Sequence, residues 1–219
     1  MAQTSSEVAV KADLLYENSF ADAANMDSWK MEGRAMAEIR DGWMHMQSID
    51  EESHHVYWCA ETFPSDFIAE WEVQNHHPEA GLCIIFFAGA GINGEDLFDT
   101  LLKPRNGIFK QYTKGDLNNY HISYYANTPT QKDRPFSHLR KNKGFKKVQI
   151  GKPGIPSSST AIHKLRLIKN NGCIQLFLDD KSIINWTDGH PLGAGKIGFR
   201  QMKWTQFAYR NFKVWSVKQ

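Results

Sequence analysis

Apolar and polar residues alternate with a period of two in short runs along most of the chain, and sustained helical periodicity never exceeds a turn or two. The runs predict strands at 14–20, 42–47, 55–59, 66–74, 82–88, 120–126, 165–169, 174–178, 196–200 and 207–217. Within 66–74, Phe67, Ala69, Trp71 and Val73 alternate with Ile68, Glu70, Glu72 and Gln74, so one side is apolar and the other carries two carboxylates. Within 120–127, Tyr120, Ile122, Tyr124 and Ala126 oppose His121, Ser123, Tyr125 and Asn127, which puts His121 and Tyr125 on one face. In 55–59, Val56 and Trp58 read as the core pair, turning His55, Tyr57 and Cys59 the other way. In 196–202, Ile197 and Phe199 point inward, and Lys196, Gly198 and Arg200 outward, with Gly198 leaving room for a close approach to the backbone.

Strands at this spacing predict an all-β sandwich of two antiparallel sheets. Asn170-Asn171-Gly172 is the clearest hairpin turn, because Asn-Gly accepts the positive φ a tight hairpin needs. The Pro- and Ser-rich stretch 151–160 and the stretch 127–135 read as surface loops, and 64–66 and 95–98 as seeds of single helical turns. The 219 residues suit one domain over 1–219, with 1–12 as a flexible N-terminal segment.

Composition narrows the chemistry. A net charge of +2 with Lys and Arg spread along the chain leaves no nucleic-acid footprint. Aromatics make up 12%, with seven Trp and seven Tyr, enough for sugar-stacking platforms or for a sandwich core. Cys59, Cys83 and Cys173 have no paired spacing and read as buried thiols. His76-His77 lacks a third ligand at usable spacing, so no metal site is expected. Glu70 and Glu72, two apart on one strand face, could serve glycoside hydrolysis if their carboxyls stood about 5 to 9 Å apart. Neither a leader peptide nor a membrane span is legible, so a soluble protein of the cytoplasm or periplasm is expected.

Six segments carry a more specific signal: His55-Val56-Tyr57-Trp58-Cys59, Gly81-Leu82-Cys83-Ile84-Ile85-Phe86-Phe87, Gly94-Glu95-Asp96-Leu97-Phe98-Asp99, Tyr120-His121-Ile122-Ser123-Tyr124-Tyr125-Ala126-Asn127, Leu139-Arg140-Lys141-Asn142 and Gly195-Lys196-Ile197-Gly198-Phe199-Arg200-Gln201-Met202. From about Trp29 to Val217 the chain resembles the YesU-like family of bacterial proteins of uncharacterised function. That resemblance implies a galectin-like or concanavalin-like jelly roll and a setting among genes for the breakdown of acidic plant or algal polysaccharides. It carries no agreed catalytic set.

Three functions follow as expectations. The first is a lyase or dehydratase performing β-elimination on uronic-acid oligosaccharides without a cofactor. It would use His121 or His55 as base, Tyr125 or Tyr57 as acid, and Arg200, Arg140 and Asn142 to hold the carboxylate, with Asn127, Gln201, Glu70 and Glu72 as further substrate contacts. The second is a glycoside hydrolase using Glu70 and Glu72, and the third a noncatalytic module that binds acidic glycans. No nucleic-acid or membrane partner is expected, and the oligomeric state is left open. A structural calcium between the termini is compatible with a jelly roll, but no motif marks it.

Overall fold

A computed structural model describes residues 9–50 and 54–218. Its strands are β1 (Lys11–Asn18), β2 (Trp29–Gly33), β3 (Ala35–Arg40), β4 (Trp43–Ser48), β5 (His55–Cys59), β6 (Phe67–Asn75), β7 (Gly81–Gly91), β8 (Leu117–Asn127), β9 (His138–Asn142), β10 (Lys146–Ile150), β11 (Ile162–Asn170), β12 (Cys173–Leu178), β13 (Lys181–Thr187), β14 (Lys196–Gln201) and β15 (Gln206–Val217). One short helix, α1 (Phe109–Thr113), and a 3-10 turn at Ala23–Met26 complete the described elements. The expected turns at 64–66 and 95–98 are not helical. Of the expected flexible segment, residues 1–8 lie outside the described residues, while Lys11 and Ala12 already belong to β1.

Among the described residues the strands form two antiparallel sheets. The first runs β13-β12-β11-β6-β15-β4-β3, with β1 also paired to β15; the second runs β10-β9-β8-β7-β14-β5-β2. The Asn-Gly hairpin joins β11 to β12, with φ +47 at Asn171 and +79 at Gly172, as a tight turn of this type requires. Strands β2, β3, β9, β10 and β13 carry weaker alternation and were not among the predicted runs. No described helix is long and apolar enough to cross a membrane.

The sheets close on a core rich in aromatic rings. Trp29 stacks on Phe199 at 5.3 Å, Phe199 on Tyr209 at 4.4 Å, and Trp71 meets Tyr124 edge-on. Much of the aromatic content is therefore structural. Of the three thiols, Cys59 and Cys83 are buried and Cys173 is half-exposed, and all are free.

A second apolar cluster lies on the outer face of the second sheet. Val56, Trp58, Ile84 and Phe86 are covered there by Leu97, Leu102, Tyr112 and Leu117, which come from the long connection 92–116 and the start of β8. The ion pair of Arg105 with Glu32, 2.6 Å long and almost fully buried, pins that connection to the sheet, and Glu32 also accepts from Trp58 Nε1. This corrects the reading of β5: Tyr57 and Cys59 face the core between the sheets, and Val56 and Trp58 face outward. A strand buried on both sides is apolar on both, so its alternation carries no sign.

Gly198 belongs to the same correction. What approaches its backbone is the ring of Trp58, whose Cε3 would stand 2.4 Å from a Cβ at that position. Gly198→Val is expected to destabilise the fold by about 1 to 3 kcal/mol through overpacking. The urea midpoint measures this, and an unchanged midpoint would contradict the packing.

Candidate functional site

Pairing register places the outward residues of the second sheet in rows. One row reads Arg140, His121, Phe86, Gly198, Trp58, Lys30; the next reads His138, Ser123, Ile84, Arg200, Val56, Glu32. Connection 92–116 covers the right-hand half. At the other end stand Arg140, His121, His138 and Ser123, with Arg200 next to them, and of these His121 and Arg200 are themselves covered by Phe109 and Gly107 of that connection.

His121 is 2% exposed. Its ring packs against Phe86 at 5.3 Å, Phe109 at 5.6 Å and Phe145 at 6.0 Å, and the last two meet edge-on at 5.4 Å above it. Asn142 Nδ2 lies 2.9 Å from His121 Nδ1 and donates to Asn119 Oδ1 at 2.7 Å; Asn119 in turn donates to the Tyr112 carbonyl. Burial, reinforced by Arg140, Arg200 and His138, holds the His121 pKa well below the ordinary imidazole range. With Asn142 donating to Nδ1, the neutral ring keeps its proton on Nε2 and acts as a hydrogen-bond donor.

Three guanidiniums share this region, and among the described residues none pairs with a carboxylate. Arg134 donates to the carbonyls of Phe136 and Ser123, to Ser123 Oγ and to Gln131, so its donors are committed within the protein. Arg140 makes one such bond, to the Phe145 carbonyl at 2.9 Å, with its guanidinium 3.8 Å above the Phe145 ring. Arg200, 3% exposed, makes one to the Gly107 carbonyl at 2.9 Å and lies over Phe109 at 4.6 Å. Burial lowers the Arg200 pKa to about 10, which leaves it cationic at neutral pH. His138 falls to about 4 through burial and then the nearby Arg134, Arg140 and Lys147, so it is neutral as well. The region therefore offers positive charge with unused N–H donors and no internal counter-ion, an arrangement suited to an anion.

The structure keeps His121, Arg140, Asn142 and Arg200 on this face and removes the other expected members. Tyr125 points into the core, where its ring meets Phe207 at 5.0 Å, because a bulge at Tyr124 sets Cys83 opposite Tyr125 and Ile84 opposite Ser123, reversing the alternation. Tyr57 packs against Trp29 at 5.4 Å and donates to the Met26 carbonyl. His55 is fully buried on the inner side, its pKa lowered to about 3 by burial and then by Arg200 and His54. Gln201 also faces inward, its amide 3.1 Å from the Tyr209 hydroxyl. Asn127 clamps a loop by donating to the carbonyls of Pro78 and Glu79. Glu70 and Glu72 lie on the other sheet, ion-paired with Lys11 at 2.8 Å and Arg210 at 2.5 Å, remote in topology from the cationic face.

His138, Arg134, Phe109 and Phe145 were not predicted. His138-Leu139-Arg140 already alternates, which could have marked His138. Arg134 and Phe145 reach the site from a loop and a turn, and Phe109 from the start of the short helix α1, and none of the three left a periodic signal. Among the described residues, no three His, Cys, Asp or Glu side chains are grouped so as to hold a metal.

This chain, a sandwich of two antiparallel sheets, has a galectin-like fold, as comparison with a solved structure shows. It is similar, with a TM-score of 0.92 and 33% identity over 97% of its length and 100% of the other chain, to the crystal structure of a protein of unknown function with a galectin-like fold from Bacillus subtilis. It matches the domain of unknown function DUF1961 over residues 13–214 and belongs to that family. It is 37% identical over 209 residues, 91% of this chain and 94% of the relative, to the uncharacterized protein YesU of Bacillus subtilis (strain 168). More distant likenesses show the fold alone. The carbohydrate-binding module CBM66 from Bacillus subtilis has a TM-score of 0.56 at 15% identity, covering 88% of this chain and 98% of its own. The exoplasmic/lumenal domain of VIP36, in a Ca2+- and mannose-bound form, has 0.65 at 11%, covering 94% and 93%.

Proposed function

We propose that this protein binds acidic carbohydrate, a uronic-acid-bearing oligosaccharide of the kind found in acidic plant or algal polysaccharides, on the outer face of its second sheet. One observation carries this reading: Arg140 and Arg200 have unused donors, and no carboxylate among the described residues neutralises them or Arg134. A sugar carboxylate would supply the missing charge, with neutral His121 and the Asn142 amide beside it. Fold neighbours that are a carbohydrate-binding module and a mannose-bound domain lend support at the level of carbohydrate in general.

Catalysis by β-elimination is a second reading, and the structure changes its cast. Tyr125, Tyr57 and His55 leave the face, and the Nδ1 lone pair of His121 is occupied by Asn142. His138 is neutral, and no hydrogen bond among the described residues engages its ring nitrogens, so it replaces His121 as the base. The experiment is a titration of the protein with oligogalacturonate and oligoglucuronate against neutral oligosaccharides of equal length, with absorbance followed near about 235 nm, where an eliminated uronate absorbs. Binding of the acidic ligands alone, weakening with salt, is the expected result; equal binding of the neutral ones refutes it. A rise in absorbance that His138→Ala abolishes would establish elimination as well.

A further inference from the structure

Away from the cationic face, three side chains form a run of hydrogen bonds with the connectivity of an acyl-transfer triad. Ser159 Oγ lies 2.7 Å from His163 Nε2, and His163 Nδ1 lies 2.7 Å from Asp179 Oδ2. The carboxylate can only accept, so Nδ1 carries the ring proton and the Nε2 lone pair faces the Ser159 hydroxyl, the tautomer a general base requires. Asp179 is itself fixed, because its Oδ1 accepts the Lys164 N–H at 2.9 Å. It stands in the tight turn between β12 and β13 with φ +46, followed by Asp180 at φ +61. Glycine or Asn would fit such a turn at less backbone cost; an Asp there keeps a carboxylate aimed at His163.

The loop that carries Ser159 is anchored to both sheets. Residues 151–161 cross the end of the sandwich from β10 to β11, with Ile155 buried in the core and its N–H bonded to the Tyr124 carbonyl of β8. The Thr160 carbonyl accepts from Gln74 Nε2 of β6 at 2.9 Å. Nucleophile and base are therefore positioned before any ligand arrives. The Ala161 N–H donates to Ser159 Oγ at 3.3 Å, which leaves the hydroxyl proton for His163. The Thr160 N–H, next along the chain from the hydroxyl, meets no acceptor among the described residues and is available to a developing oxyanion.

We infer that Ser159, His163 and Asp179 form a second site, independent of the acidic-carbohydrate reading, that hydrolyses esters of short carboxylic acids. Ser159 Oγ bonds to the acyl carbon as its proton passes to His163 Nε2, and the ester C–O bond then breaks with that proton going to the leaving alcohol. Water next gives a proton to Nε2 as its oxygen bonds to the acyl carbon, the Oγ–acyl bond breaks, and the proton returns to Oγ. The sum is ester and water to carboxylic acid and alcohol. Ser159 and His163 are half-buried and Asp179 is exposed, so the site opens to solvent among Ser157, Ser158 and Thr160. A long acyl chain gains only where it can be buried, so such surroundings suit a small acyl group such as acetyl.

The test incubates the full chain with p-nitrophenyl acetate and p-nitrophenyl octanoate, following the nitrophenolate released, and separately with a fluorophosphonate, which loses fluoride to an activated serine oxygen. Acetate turnover should exceed that of free imidazole at matched concentration and be about tenfold or more faster than octanoate turnover. Peptide mass analysis should place the phosphonyl group on Ser159. Ser159→Ala and His163→Ala should each lower kcat/KM by about a hundredfold or more, and the double variant no further than either alone, because the two residues act as a unit. Asp179 is a positioning residue, so Asp179→Asn should lower kcat with KM little altered. A wild-type rate no greater than that of imidazole, full turnover in Ser159→Ala, or a wild-type protein left unlabelled at Ser159 overturns the site. Faster turnover of the octanoate refutes the short-acyl assignment.

Discussion

Arg200→Ala is expected to weaken binding of an oligouronate by roughly 10- to 100-fold, the loss of one charge-assisted interaction of about 1.5 to 3 kcal/mol. The argument rests on where the guanidinium sits. It is 3% exposed, makes one hydrogen bond to protein, at the Gly107 carbonyl, and among the described residues meets no carboxylate. A buried cation with no counter-ion is a liability to the fold, so a ligand carboxylate gains from it what the protein leaves unused. Two controls separate this role from a structural one. Arg200→Lys keeps the charge and loses the planar fork, so it should restore part of the affinity. The thermal midpoint of Arg200→Ala is expected to fall, because the variant loses the Gly107 hydrogen bond and the stacking on Phe109, while Arg200→Lys keeps most of it; affinities are therefore compared well below that midpoint. Wild-type affinity in the alanine variant would remove Arg200 from the site.

Acid is expected to destabilise the protein well above the range where its carboxylates titrate. His55 has a folded pKa of about 3 and His138 of about 4, and His121 is held well below the ordinary imidazole value; burial is the leading cause in each case. In the unfolded chain each of these rings titrates near about 6.5. Below that pH the unfolded state binds protons that the folded state does not, so stability is fully present above about pH 6.5 and declines as the pH falls toward the folded pKa values. For His55 alone the loss is roughly 2 to 3 kcal/mol by pH 4.5. Urea unfolding at pH 7.5, 6.0 and 4.5 measures it. His55→Phe should flatten the profile over this window, and a wild-type profile already flat would contradict the burial of neutral imidazoles. Because His121 and His138 are on the proposed binding face and His55 is beneath it, ligand binding should raise stability most at the acidic end.

The closure over His121 shows how site and packing are joined. Arg140 stacks on Phe145 and Arg200 on Phe109, and those two rings meet above the imidazole. The guanidiniums that would take an anion therefore also hold the cover of the buried histidine.

The amino-acid pattern alone determined that this chain forms short antiparallel strands, that β11 and β12 join through Asn171-Gly172, and that His121 and Arg200 stand on the opposite sides of their strands from Ile122 and Phe199. Those features are local, set by period-two alternation and by the φ preferences of Asn and Gly. Direction was another matter. Strand β5 is buried on both sides, so the outward turn of Val56 and Trp58 could be decided only by the connection 92–116 that covers them. The bulge at Tyr124 sends Tyr125 into the core, and it arises from the fit of β8 against β7. Glu70 and Glu72 read as well as any acidic pair in the sequence, yet the order of strands assigns them to the other sheet. Which residues share a face follows from register and burial across strands far apart in the chain. That is information only the tertiary structure contains, because it depends on which side of each sheet finds a covering partner.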